Sequence, residues 1–124
     1  MASPGAAPTE AVILAIARRM YHSPKLDEIR AAHKSGQPVT VNLEGYEVQY
    51  EPLPFSGFTS FGSRGFVIGK EAFASEDELK KTLLHELYRL HHSELAHGRG
   101  VDKDTIRNET DAAFQFAERF YGMI

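Results

Sequence analysis

The sequence predicts an α+β domain, and three features of its 124 residues carry that prediction. Apolar residues recur at helical spacing near both ends, they alternate strictly in the middle, and turn-forming Gly, Pro and Ser separate the two patterns. The expected order is N-terminal helices, a small antiparallel sheet built on a hairpin, and two packed C-terminal helices. No repeat, low-complexity tract or composition break divides the chain, so 1–124 reads as a single domain.

Positions 1–8 are rich in Ala, Pro and Gly and are expected to be disordered; 9–36 should be helical. Thr9 is a good N-cap for a first helix reaching His22 and burying Ile13, Ile16, Ala17 and Met20. Ser23-Pro24 reads as a new cap with proline at the first helical position, and Ser35-Gly36 stops the second helix after Lys34. Strands and a loop follow over 37–70. Val39, Val41 and Leu43 alternate, and Tyr46, Val48 and Tyr50 repeat the pattern beyond Glu44-Gly45, which predicts a hairpin. "EPLPFSGFTSFGSRG" reads as a loop pinned by Phe55, Phe58 and Phe61, and "GFVIG" as a short strand. A helical pair fills 75–121. Ser75 and Glu78 form a capping box, and Leu79, Leu83, Leu87 and Leu90 make one stripe that ends near His97-Gly98. The last helix runs from about Asp104 to Gly122.

Composition narrows the chemistry. Without cysteine there are no disulfides, thiolate nucleophiles or Cys-type zinc sites. A net charge of -3 provides no general basic footprint for nucleic acid, so binding of that kind would need a local patch. The apolar run from Ala11 to Ala17 is far too short to span a bilayer, and no membrane insertion is expected.

Two helices carry polar residues that break their patterns. At about 100° per residue, His85, Arg89 and His92 share a face opposite the leucine stripe, together with Glu78 and Lys81. Glu86 lies at the edge of the stripe, so its carboxylate is partly buried and needs a partner. On the last helix, Glu109 falls among Ile106, Ala113, Phe116, Ala117 and Phe120. An unpaired buried glutamate costs several kcal/mol or takes up a proton, so a cation or donor should meet it; His85 and Arg89 are the candidates if the helices pack together.

"GFVIGKEAFASEDELKKTLLHELYRLHH" resembles the strand-then-helix core of small zincin-like domains, with "NETDAAFQFAERF" as the downstream helix that brings a glutamate. Domains of this kind are common as the C-terminal toxin domains of bacterial polymorphic toxins of the contact-dependent inhibition and Rhs types. The resemblance covers 65–121. It implies His85 as first metal ligand, Glu86 as general base and Glu109 as third ligand, with Arg89 standing at the second-ligand position. A guanidinium has no lone pair for a metal, so Arg89 departs from the pattern. The resemblance further implies secretion as part of a larger protein, delivery to the cytoplasm of a target cell, and a cognate immunity protein as partner; a monomer is expected.

Three readings stay open. In the first, no cofactor is needed: His85 moves protons, Arg89 stabilises charge on a phosphate, Glu86 or Glu109 orients them, and His92 serves as a second acid or base, together cleaving RNA. In the second, the chain is a zinc-dependent peptidase whose metal rests on His85 and Glu109. In the third, His85, Arg89 and Glu109 clamp two helices of a non-catalytic binding module.

Overall fold

The computed structural model describes residues 8–60, 65–96 and 103–124, with side chains over 9–59, 65–92 and 110–124. Two helices lead into four strands and two further helices, so the α+β class holds. α1 (Pro8–Tyr21) buries Ile13, Leu14, Ala17 and Met20 on one stripe, and α2 (Leu26–Ser35) buries Leu26, Ile29 and Ala32. Gly36 ends α2 in the left-handed region (φ 73°), with its N–H donating to His33 O and that of Gln37 to Ala32 O. That pairing is a Schellman motif, and glycine reaches this φ without a Cβ penalty.

β1 (Val39–Leu43) and β2 (Tyr46–Tyr50) form the expected hairpin, with Leu43 opposite Tyr46. Glu44 and Gly45 both have positive φ (50° and 87°), the pattern of a type I′ turn. Beyond the hairpin the sheet departs from the antiparallel expectation. β3 (Gly57–Ser60) and β4 (Gly65–Ile68) pair antiparallel, but β4 lies parallel to β2, giving a mixed sheet in the order β1-β2-β4-β3. β4 is internal to the sheet and all four of its residues are buried, whereas β2, also internal, alternates.

Part of the stretch read as a loop is therefore the edge strand β3. The remainder, 51–56, is held chiefly by main-chain bonds: Gly69 N–H donates to Ser56 O, Lys70 N–H to Leu53 O and Glu71 N–H to Phe55 O. Gly69 is required at this crossing, because a Cβ there would stand 2.1 Å from Phe55 O. Phe58 is about half exposed rather than a plug, and Phe61 lies outside the described residues.

α3 (Glu76–Ala96) is the central post, packed against α1, α4 (Lys103–Phe120), β3 and β4. Ser75 Oγ accepts the Glu78 N–H (3.0 Å), so the serine half of the predicted capping box is in place. Leu79, Leu83, Leu87 and Leu90 are buried as one stripe, joined by Leu84 and by Phe116, Ala117 and Phe120 from α4. A surface clamp ties the two N-terminal helices to the start of α3. Arg30 donates through both terminal nitrogens to the Glu76 carboxylate (2.8 Å each), and Tyr21 OH adds a third bond at 2.6 Å. Those donors hold the Glu76 carboxyl down at about 2.

Candidate active site

α3 turns one side toward β3, the 54–56 loop and α4, and a pocket of about 480 Å³ opens between them. His85 and Glu86 both line it, although they leave the helix in different directions. Glu86 points toward β3 and His85 toward α4, so two packing partners on either side of α3 bring the adjacent side chains to one cavity.

Glu86 is 3 % exposed. Its Oε1 accepts a hydrogen bond from Thr59 Oγ1 at 2.8 Å, across the gap between β3 and α3. Gly57 makes that approach possible: a Cβ there would lie 2.7 Å from Val67 O, 3.2 Å from Thr82 Cγ2 and 3.3 Å from Glu86 Oε2. Thr82 returns its own hydroxyl to Glu78 O (2.8 Å), which turns its methyl toward β3 and keeps that side of the pocket apolar. Burial pushes the Glu86 carboxyl up to about 7, against the opposing pull of the Thr59 hydroxyl and the Arg89 charge.

His85 behaves in the opposite way. Its side chain is 12 % exposed, and burial followed by the positive charge of Arg89 pushes the imidazole down to about 4. The ring lies against Phe114 of α4, with centroids 4.3 Å apart. His85 Nε2 stands 3.9 Å from Glu86 Oε2, beyond direct hydrogen bonding yet close enough for one substrate oxygen to touch both. Between about pH 4 and pH 7 the pair is therefore a neutral imidazole facing a protonated carboxyl rather than an ion pair.

Arg89 follows one helical turn beyond His85 and lies outside the pocket lining; its buried Nε has no hydrogen-bond partner among the described residues. His92 follows two turns from His85, its ring tilted against Tyr88 with centroids 4.0 Å apart, and its buried Nε2 is likewise unbonded among the described residues. His92 does not reach the pocket. Glu109 falls on α4, but its side chain lies outside the described residues, so the proposed meeting with His85 or Arg89 does too. Two further histidines are engaged with tyrosines: His33 Nδ1 bonds Tyr50 OH at 3.1 Å and His91 Nε2 bonds Tyr46 OH at 3.0 Å.

The described residues do not compose a zinc site. No group of three His, Asp or Glu side chains among them comes close enough for one ion. The fixed charge of Arg89, which adds to burial in depressing His85, would also oppose a dication on that imidazole.

Thr59, Gly57 and Phe114 belong to this site and were not singled out in the sequence. Phe114 did leave a signal, being an aromatic residue out of phase with the apolar stripe of its helix, and the structure leaves it 57 % exposed. Thr59 and Gly57 left none, since nothing local marks a strand that pairs only with β4 and leans on α3. Among the described residues no helix is long and apolar enough to cross a membrane. Comparison of the chain with protein-family models, with curated proteins and with solved structures finds no match.

Proposed function

We propose that this chain is a ribonuclease that needs no metal, acting as the toxin tip of a larger secreted protein. The observation that carries the chemistry is the His85–Glu86 pair, two titrating groups 3.9 Å apart in one pocket whose surroundings drive them in opposite directions. Groups separated in this way divide the work of acid and base. His85, neutral above about pH 4, is the base; Glu86, protonated below about pH 7, is the acid.

The reaction balances on these two residues. His85 Nε2 takes the proton of a ribose 2′-OH as that oxygen bonds to the adjacent phosphorus. Glu86 gives its proton to the 5′-oxygen as the P–O5′ bond breaks, leaving a 2′,3′-cyclic phosphate and a 5′-hydroxyl. The phosphate belongs on the Arg89 side of His85, because the pocket carries Glu71, Glu78 and Glu118 and would repel it. His92, which does not reach the pocket, has no role in this scheme. The likeness of "GFVIGKEAFASEDELKKTLLHELYRLHH" to toxin-tip domains supports the setting: delivery into the cytoplasm of a target cell, action as a monomer, and neutralisation by a cognate immunity protein.

The test uses total cellular RNA with and without EDTA at about pH 5.5, midway between the two titrations. Wild type, His85→Ala and Glu86→Gln are run side by side, with circular dichroism as the folding control. Fragmentation that survives EDTA and disappears in both folded variants is expected. Fragmentation that needs a metal, or that persists in both variants, overturns the proposal.

A further inference from the structure

Inside the pocket, beside the acid–base pair, is a second arrangement that the cleavage chemistry leaves unused. Lys81 Nζ sits 3.1 Å from Glu118 Oε1 and 3.9 Å from Glu78 Oε1, and 4.7 Å from the centre of the Tyr121 ring. Two carboxylates and a ring face thus surround one ammonium at the solvent-facing side of the pocket, with the Glu118 carboxylate immediately beside it. Phe55 from the 51–56 loop and Phe114 from α4 also line the pocket, Phe114 with its ring against His85. Aromatic side chains in the same lining as a donor and an acceptor suit a planar heteroaromatic ring, and the Glu71, Glu78 and Glu118 carboxylates oppose a phosphate in the same space.

The spacing along α3 relates this subsite to the chemistry. Lys81, His85 and Arg89 fall at i, i+4 and i+8, so successive side chains lie about 6 Å apart along the axis. A nucleotide laid on this face places its base at Lys81, its ribose 2′-OH at His85 and its 3′-phosphate toward Arg89. That is the order in which these groups are joined in RNA.

Among the four bases, guanine offers the edge that fits. Its O6 accepts from an ammonium, and the neighbouring N1–H and N2–H donate as a pair to one carboxylate. Adenine and cytosine each present a single donor group on this edge, and uracil's one donor lies between two acceptors that a carboxylate repels.

We infer that the pocket lined by Lys81, Glu118, Phe55 and Phe114 binds a guanine base, so that the chain cleaves RNA on the 3′ side of guanosine. The inference rests on the ribonuclease reading above, and two measurements separate their failures. The first is isothermal titration calorimetry of the intact chain with the 3′-monophosphates of guanosine, adenosine, cytidine and uridine. Guanosine 3′-monophosphate is expected to bind at least about tenfold more tightly than the other three, a margin lost in Glu118→Gln and in Lys81→Met. Equal binding of all four, or binding of none, overturns the guanine site whether or not the chain cleaves RNA.

The second measurement uses DNA oligonucleotides carrying one ribonucleotide, which confine cleavage to a chosen base. Preferred cut at the guanosine oligonucleotide, with Glu118→Gln levelling the four, supports the site. Cleavage of all four at one rate overturns the site while leaving the ribonuclease reading intact. Tight, selective binding of guanosine 3′-monophosphate with no cleavage of any oligonucleotide keeps the site and sinks the ribonuclease reading.

Discussion

Replacing Glu86 by Gln isolates the cost of keeping an ionisable group at a buried position. A carboxyl that titrates at about 7 in the folded chain, against an ordinary 4.5, binds a proton that the unfolded chain has already released. Its contribution to stability is fully present below pH 4.5 and is lost as pH rises through 7, amounting to about 3 kcal/mol in total. The carboxamide of the Glu86→Gln variant would keep the acceptor for Thr59 Oγ1 and has nothing to ionise. Between about pH 5 and about pH 8 the variant should therefore gain roughly 2–3 kcal/mol on wild type. Urea unfolding followed by far-UV circular dichroism at several pH values provides that difference.

His85 makes a second, opposite prediction within the same data. Its depressed imidazole contributes stability above 6.5 that is lost as pH falls toward 4. From 4.5 to 6.5 the two slopes cancel, because folding in effect moves one proton from the histidine to the glutamate. In Glu86→Gln that cancellation ends, and the variant's stability should climb with pH across this range. Curves for wild type and Glu86→Gln that run parallel within about 0.5 kcal/mol from pH 5 to 8 would refute the reasoning, since Glu86 would then ionise as freely folded as unfolded.

Three further outcomes follow from the same contacts. The rate of RNA cleavage should trace a bell in pH, with limbs near 4 from His85 and near 7 from Glu86; a single plateau extending above pH 8 would remove Glu86 as the acid. Thr59→Val deletes the one hydroxyl that favours ionised Glu86, so the basic limb should move up in pH while stability falls by about 1 kcal/mol; an unmoved limb in the rate profile argues against Thr59 as the residue that positions Glu86. Gly57→Ala forces a methyl to within 2.7 Å of Val67 O and 3.3 Å of Glu86 Oε2. It should cost about 1–3 kcal/mol in denaturant unfolding, and a neutral result would mean that β3 is free to shift away from α3.

The legible parts of this protein are those specified by neighbours in the chain. The leucine stripe of α3, the Ser75 cap, the Glu44-Gly45 turn and the Gly36 stop each need only local spacing and a residue type. All four were readable in the sequence because helix and hairpin geometry tie them to positions a few residues apart. Glu86 was recognisable on the same basis, as a carboxylate at the margin of an apolar stripe. What it would be paired with was not. Thr59 stands 27 residues away on a strand that exists only because β4 accepts it at the edge of the sheet.

The parallel pairing of β2 with β4 has the same origin. A crossing of the chain, with Gly69 and Gly65 admitting backbone where a Cβ would collide, decides it, and no alternation in the sequence encodes a partner. Adjacency in sequence even misleads at His85 and Glu86, since consecutive residues on a helix point about 100° apart. Only the closing of β3 on one side of α3 and α4 on the other turns that divergence into a shared pocket. The sequence thus determined the helices, the hairpin and the identity of the two titrating groups. Tertiary packing alone decided that these groups are largely buried, 3.9 Å apart and driven in opposite directions, because desolvation depends on what covers a side chain and not on what precedes it.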